Sequence, residues 1–122
     1  MKAIETINHK GRKTVIMDLS NVVSIEDLSL RVQTIIAEIR KSAKPKSVYA
    51  LLDLTNLKIN KSTLPYIKML SMNNGKFIKY AVFVGFTPIY SLIFRIMLRI
   101  TKRTNHIVVK TREEGLNWLG NH

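Results

Sequence analysis

Hydrophobic and polar residues alternate on both sides of a polar turn near the start of the chain. Residues 1–8 and 14–19 carry β-branched side chains at alternating positions, and the polar stretch between them contains Gly11. Alternation with a period of two places every second side chain on the same face of a strand. The pattern therefore predicts an opening β-hairpin.

The spacing of apolar residues then changes to that of a helix. Ser24, with Asp27 three residues later, is typical of a helix start in which the side chains cap free backbone N–H groups. Apolar residues recur every three or four positions from Ile25 to Ile39 and predict one buried stripe. Pro45 lies just beyond and ends this helix.

A central strand and a second helix come next. Residues 47–54 form an almost continuous apolar run that contains Asp53, as expected for a parallel strand covered on both faces. Ser62 or Thr63 is predicted to cap the following helix. We expect Gly75 to end that helix, because glycine readily adopts the left-handed conformation found at helix ends.

The last third of the chain repeats the alternation of strand and helix. Residues 77–85 predict a buried strand, and Thr87-Pro88 predicts the start of a helix that runs to about Arg103. Residues 107–109 predict a short last strand, and residues 111–114, TREE, form a capping box before a terminal helix. The order β-β-α-β-α-β-α-β-α predicts an α/β fold with a mostly parallel sheet packed with helices.

Length and composition agree with one domain over residues 1–122. The chain is 46% hydrophobic and has no cysteine, so it can form one core without disulfides, and thiol catalysis and thiolate zinc sites are excluded. A polar stretch follows Met1, and no secretory signal is expected. These features favour a cytoplasmic location.

Positive charge is concentrated in the second half of the chain. Residues 54–112 contain eleven Lys and Arg and no acidic residue, out of a total net charge of +12. Such a stretch favours an anionic partner, which could be nucleic acid, anionic lipid or an acidic protein surface. Solubility and a biased composition are the alternative explanation.

Four segments of the sequence resemble the SpoIIAA-like family, whose fold is shared by STAS domains (sulphate transporter and anti-sigma-factor antagonist). They are the opening HKGRKTVIMDLSN, the strand VYALLDLTN, the segment YAVFVG before the Thr-Pro helix, and the closing TREEGLNWL. The resemblance spans nearly the whole chain and implies a non-enzymatic regulatory or ligand-sensing domain. Gly115 stands where relatives commonly have alanine, and this glycine is expected to weaken the last helix by roughly 1 kcal/mol at most.

One motif of the family is missing. STAS antagonists have an Asp-Ser-Ser-Gly-like motif after the central strand, with a phosphorylatable serine at the start of the next helix, whereas residues 57–63 of this chain read LKINKST. Ser62 and Thr63 match that serine by location alone. A phosphate there would meet backbone N–H groups, with Lys58 and Lys61 nearby. Helix capping without phosphorylation is the competing explanation.

Acidic and histidine residues do not form a recognisable catalytic pattern. Asp18 and Asp53 each lie at the end of a predicted strand and could hold a cation or act as acid and base, but each can equally bond to turn amides. The histidines are far apart in sequence or terminal. We therefore predict no catalytic residue, no metal site and no cofactor.

The predicted helix over residues 88–103 carries more apolar side chains than packing against one face of a sheet would bury. Its polar stripe is narrow, and the surplus apolar surface could line a ligand cavity, form a homodimer contact or meet a lipid surface, unless neighbouring helices cover it. Residues 81–100 are long enough to span a membrane, but Gly85, Pro88 and Arg95 argue against a span. The candidate ligand or partner surface comprises Asp53, Lys58, Lys61, Tyr90, Phe94, Arg95, Met97, Arg99, Lys102 and Arg103.

Three functions follow from these observations, in decreasing order of support. The first is a regulatory domain that binds a protein partner or a small amphiphile and performs no chemistry. The second is binding to an anionic lipid or membrane surface through the basic, apolar helix over residues 88–103. Nucleic-acid binding ranks last, because no recognised nucleic-acid motif accompanies the charge.

Overall fold

The computed structural model describes residues 3–100, 102 and 104–122, without the side chain of Met97. Its strands and helices follow the predicted order. The strands are β1 (Ile4–His9), β2 (Arg12–Asp18), β3 (Val48–Asp53), β4 (Ile78–Val84) and β5 (His106–Val109). The helices are α1 (Ile25–Ser42), α2 (Leu64–Asn74), α3 (Pro88–Ile100) and α4 (Arg112–Gly120), and a short 3-10 turn, Gly75–Phe77, follows α2.

The strands form one sheet in the order β1-β2-β3-β4-β5. β1 and β2 are an antiparallel hairpin, as predicted, and its turn residues Lys10 and Gly11 have φ angles of +51° and +75°. The other neighbouring strands are parallel. Consequently the carboxyl ends of β2 to β5 share one edge of the sheet, where ligands commonly bind in open α/β folds.

Side chains from successive strand residues form two cores on opposite faces of the sheet. One core contains Met17, Ala50 and Leu52 and is packed against α1 and α2. The other contains Leu51 and Val82 and is packed against α4. Every residue of β3 is buried, which confirms the central, doubly covered strand predicted from its continuous apolar sequence.

Gly115 allows α4 to lie close against the sheet. A Cβ atom at this position would be 2.9 Å from Cδ1 of Leu51 and 2.9 Å from Cγ1 of Val82. Such distances are shorter than ordinary carbon contacts. The glycine that costs helix propensity therefore has a packing function, which the sequence did not reveal.

Two predicted helix boundaries have a different physical basis from the one expected. Thr63 occupies the cap position of α2, as predicted, but its side chain makes no capping hydrogen bond to the helix, so that part of the prediction is wrong. Gly75 has φ of −53° and continues into the 3-10 turn, so the left-handed helix end is wrong as well. The predicted helix end near Arg103 lies outside the described residues.

Candidate ligand-binding site

A cavity of about 280 Å³ lies between the sheet, α2 and α3. Most of its lining is apolar, and Lys68, Ser71, Asn74 and His106 supply its polar side chains. The apolar lining consists of Met17, Ala50, Leu52, Ile78, Ala81 and Phe83 from the sheet, Leu64, Ile67 and Leu70 from α2, and Phe94 and Leu98 from α3, with Gly75 completing it. The cavity is partly open to solvent, since Leu64, Lys68 and Ser71 in its lining are exposed.

Two alanines on adjacent strands form part of the cavity wall. Ala50 of β3 and Ala81 of β4 are direct partners across the parallel ladder, and both are buried. Because alanine ends at Cβ, this pair leaves space where larger side chains would fill the gap to the helices. The small size of two paired residues, far apart in sequence, thus helps to create the cavity.

Aromatic side chains form the α3 side of the cavity. The Phe94 ring lies 4.6 Å from the Phe83 ring and 5.1 Å from the Phe86 ring, measured between centroids. The His106 ring stacks on Phe83 at 5.7 Å, and its Nδ1 lies 2.7 Å from Oδ1 of Asn105. Of the residues predicted for a ligand surface, Phe94 lines this cavity.

Asn74 is a polar residue of the cavity that was not among the predicted site residues. It is the last residue of α2 and is 3% exposed, and neither its side-chain nitrogen nor its side-chain oxygen has a hydrogen-bond partner. Asparagine is common at helix ends for conformational reasons, so the sequence contained no signal that distinguished this one.

A charged cluster occupies the carboxyl edge of the sheet. Nε of Arg112 lies 2.8 Å from Oδ2 of Asp53, and Nη2 of Arg112 lies 3.5 Å from Oδ2 of Asp18. Oδ1 of Asp53 also accepts hydrogen bonds from the backbone N–H and hydroxyl of Thr55, at 3.0 Å and 2.6 Å. The Ser20 N–H and hydroxyl donate to Asp18 in the same way. Both aspartates therefore bond to turn groups.

Hydrogen bonds to Asp53 lower the pKa of its carboxyl group. Burial of the Asp53 carboxyl acts to raise its pKa, but hydrogen bonds from Thr55 and Arg112 outweigh burial, and the pKa lies below its usual value. The same contact with Asp53 raises the pKa of Arg112. Arg112 was not among the predicted site residues, although its position just after β5 places it at this edge of the sheet. No cluster of three metal-ligating side chains occurs among the described residues.

The loop before α2 is closed by the side chain of Thr63. Its buried hydroxyl donates to the carbonyl of Lys58 at 2.6 Å and accepts from the backbone N–H of Asn60 at 3.0 Å. Ser62 and Lys61 are exposed. Phosphorylation of Thr63 would therefore require this loop to open, whereas the Ser62 side chain lies at the surface. Phosphorylation of either residue stays a prediction.

A shallow groove separates this loop from the start of α3. Lys58 and Tyr90 both line it, and the Tyr90 hydroxyl donates to the carbonyl of Ile59 at 3.1 Å. The structure thus brings together two of the predicted surface residues. Asp53 makes its contacts in the charged cluster instead.

The side of α3 that points away from the sheet is apolar. Its aliphatic side chains are between 47% and 74% exposed, and they are Ile89, Leu92, Ile93, Ile96 and Ile100. We call these five residues the outer face of α3. Spacings of three and four residues place them on one stripe of the helix, and no described helix of this chain covers that stripe.

Basic residues accompany the outer face. Arg95, Arg99 and Lys102 are exposed, and Nη2 of Arg95 donates to the carbonyl of Val108 at 3.3 Å. Two other predicted residues, Arg103 and the side chain of Met97, lie outside the described part of the structure. Within that described part, no helix combines the length and the hydropathy that a membrane crossing requires.

Comparisons with known proteins support the fold alone. No family model matches the chain, and no curated protein matches it significantly. A crystal structure of an uncharacterized protein of the DUF3478 family from Shewanella loihica PV-4, described as having a SpoIIAA-like fold, superposes with a TM-score of 0.74. The two sequences are 17% identical, and the match covers 96% of this chain and 92% of the other. This chain has a SpoIIAA-like fold.

The SpoIIAA-like fold confirms the resemblance inferred from the four sequence segments. The turn after the central strand reads LKINKST over residues 57–63. Hydrogen bonds of the Thr63 hydroxyl close that turn. The cavity and the outer face of α3 lie outside this turn, and they are the stronger candidates for a binding surface in this SpoIIAA-like domain.

Proposed function

We propose that this SpoIIAA-like domain binds a small amphiphile in the cavity between the sheet, α2 and α3. The cavity supports this proposal, because an apolar space of about 280 Å³ approaches the size of ordinary small-molecule sites. A smaller engineered apolar cavity of about 150 Å³ is known to bind benzene. Burial of an alkyl chain against Ala50, Ala81 and Phe94 would supply the main driving force.

We further propose that binding involves no chemistry and serves regulation in the cytoplasm. The two carboxylates at the sheet edge are engaged by Arg112 and by turn groups, which leaves them poorly suited to act as a general base. The SpoIIAA-like fold supports a regulatory role by analogy, which is a weaker argument than the cavity. Affinity purification from the native host would identify a protein partner that responds to the ligand.

Decan-1-ol is a suitable probe for the cavity. We expect wild-type protein to bind it with a measurable heat in isothermal titration calorimetry. Ala81→Leu places a larger side chain in the cavity and is expected to weaken binding at least about tenfold, because the added atoms occupy the ligand volume. Ala37→Leu is the matched control, since Ala37 is exposed on α1. Equal affinities of all three proteins, or no binding to wild type, would refute the proposal.

A second function, binding to an anionic membrane surface, is favoured by the outer face of α3. An exposed aliphatic stripe next to basic residues matches an interfacial helix, which buries its apolar side chains among lipids. Each basic residue near an anionic surface contributes about 1 kcal/mol of attraction. Arg95, Arg99 and Lys102 would supply this attraction.

Flotation with vesicles tests this second function. Phosphatidylglycerol vesicles should carry the wild-type protein and phosphatidylcholine vesicles should not. Arg95→Glu/Arg99→Glu should lower partitioning at least about 20-fold, since two attractions are reversed. Lys41→Glu/Lys44→Glu changes the net charge equally on another surface and should float like wild type. If the wild-type protein does not float with either kind of vesicle and sediments as a dimer, the membrane proposal fails and the outer face is assigned to self-association.

A further inference from the structure

Asn74 combines two properties that rarely occur together in a folded protein. It is 3% exposed and lines the cavity. Two of the three buried side-chain polar atoms without a partner in the described part of the chain are its amide nitrogen and carbonyl oxygen. Buried polar groups normally find hydrogen bonds, because an unmade bond is costly inside a protein. The side chain therefore has unused capacity to hydrogen-bond a ligand.

Asn74 belongs to a mostly apolar wall of the cavity, and its amide nitrogen and oxygen have almost no exposed surface of their own. Leu70 lies one helical turn before it, and Ile78 and Phe83 line the same cavity. The third unpartnered atom, Nε2 of His9, belongs to the hairpin and does not line this cavity. Unused bonding capacity thus lies in a residue that borders the open volume.

We propose that Asn74 is the polar anchor for the ligand of this cavity, and that the ligand carries a neutral group that both donates and accepts hydrogen bonds. This inference rests on the proposed amphiphile binding. A carboxamide side chain presents one acceptor and one N–H donor side by side, whichever way its oxygen and nitrogen are assigned. A primary amide can donate to the Asn74 oxygen and accept from the Asn74 N–H group at the same time. An alcohol or an undissociated carboxylic acid can also do both. A carboxylate accepts only and would meet the Asn74 carbonyl oxygen unfavourably.

The cavity volume limits the size of this ligand. The engineered cavity of about 150 Å³ holds the six carbon atoms of benzene, and on that scale 280 Å³ holds about eleven non-hydrogen atoms. A nine-carbon primary amide, nonanamide, has this size. Its isomer N,N-dimethylheptanamide keeps the carbonyl and the apolar bulk but has no N–H group, so comparing the two isolates the donor.

Calorimetric titration of three proteins with both compounds tests the proposal. Wild type is expected to bind nonanamide about tenfold more tightly than its isomer, which corresponds to one good hydrogen bond. Asn74→Leu should abolish this preference. Asn73→Leu is the matched control, because the Asn73 side chain bonds to Arg40 and to the carbonyl of Met69 and does not line the cavity. The control should retain the preference.

Stability without ligand provides an independent readout. Since Asn74→Leu removes two unpartnered buried polar atoms, its Tm should equal or exceed that of wild type. A clearly lower Tm with an unchanged preference for nonanamide would show that Asn74 is structural and would overturn the proposal. If the variant does not fold, NMR of wild type decides, because the Asn74 side-chain N–H₂ signals should shift with nonanamide and much less with its isomer.

The outcomes also separate this inference from the proposed function. If wild type binds decan-1-ol, and binds nonanamide and its isomer with equal affinity, the cavity is a binding site but Asn74 is not its anchor. If wild type binds none of the three compounds, both proposals fail.

Discussion

Arg112 and Asp53 form an ion pair at 2.8 Å that joins the first residue of α4 to the last residue of β3. The pair connects a strand that is buried along its whole length to the helix that packs on one of its faces. Asp53 is almost completely buried, whereas Arg112 is partly exposed. Loss of the arginine would therefore leave a buried carboxylate with fewer partners.

Arg112→Gln should lower the free energy of unfolding by about 1 kcal/mol at pH 7, a value reduced by solvent screening of the exposed arginine. The pKa of Asp53 is lowered in the folded protein, so its stabilisation is present above the unfolded pKa of about 3.9 and is lost as pH falls through the folded value. The difference between variant and wild type should thus shrink below about pH 4.

Urea unfolding between pH 7 and pH 3 measures this dependence. Arg40→Gln serves as the control, since Arg40 donates to Asn73 on the other face of the sheet. Its effect should not vary in the same pH range. A constant effect of Arg112→Gln down to pH 3 would mean that Arg112 acts through packing alone.

Gly85 is predicted to tolerate no side chain. Its φ is +90°, and a Cβ atom would lie 2.7 Å from Cα of Thr55. Gly85→Ala should cost about 3 kcal/mol, because an unfavourable backbone conformation and a collision with backbone occur together. Gly75→Ala is the control, since Gly75 has no atom within 4 Å of that position and φ of −53°. It should be neutral or stabilising by up to about 1 kcal/mol.

Thermal or urea unfolding of the two glycine variants compares these costs directly. Similar stabilities of Gly85→Ala and Gly75→Ala would contradict the close approach of the loop after β4 to Thr55.

Thr63 and Ser62 should respond differently to loss of their hydroxyl groups. Thr63→Val keeps the shape of the side chain but removes the hydrogen bonds to Lys58 and Asn60, and it should cost about 1–2 kcal/mol. Ser62→Ala, at the exposed neighbour, should change stability by less than about 0.5 kcal/mol. Hydrogen exchange of the Asn60 amide should accelerate in Thr63→Val alone.

Phosphorylation is tested separately. Mass spectrometry of protein purified from its native host should locate any phosphate on Ser62, because the Thr63 hydroxyl is buried. Phosphate on Thr63 would show that the loop opens in the cell, and an unmodified peptide under several growth conditions would count against a switch.

Gly115→Ala tests the close packing of α4. Alanine improves helix propensity by about 1 kcal/mol, but its Cβ atom would lie 2.9 Å from Leu51 and Val82 side-chain atoms, and overpacking costs about 1–3 kcal/mol. A net loss of about 1 kcal/mol is expected. Asn117→Ala, on the exposed side of α4, should instead be slightly stabilising. A gain in both variants would show that α4 can move away from the sheet.

Much of the fold could be predicted because its signals are local. The caps at Ser24 and Thr111 form as expected, with the hydroxyls accepting from the N–H groups of Asp27 and Glu114. The alternation of strands and helices correctly predicted the parallel sheet. Where a local signal has two physical solutions, as at Thr63 and Gly75, the commoner one is predicted and the protein adopts the other.

The sequence by itself determined the order of elements, the doubly buried strand β3 and the surplus of apolar residues on α3, since these depend on periods of two and about four residues. Tertiary structure alone decided where the surplus points. It turned Phe94 toward the cavity, left the outer face of α3 exposed, paired Ala50 with Ala81, and buried Asn74 without a partner. These features arise from distances between elements far apart in the chain, and no local pattern records such distances.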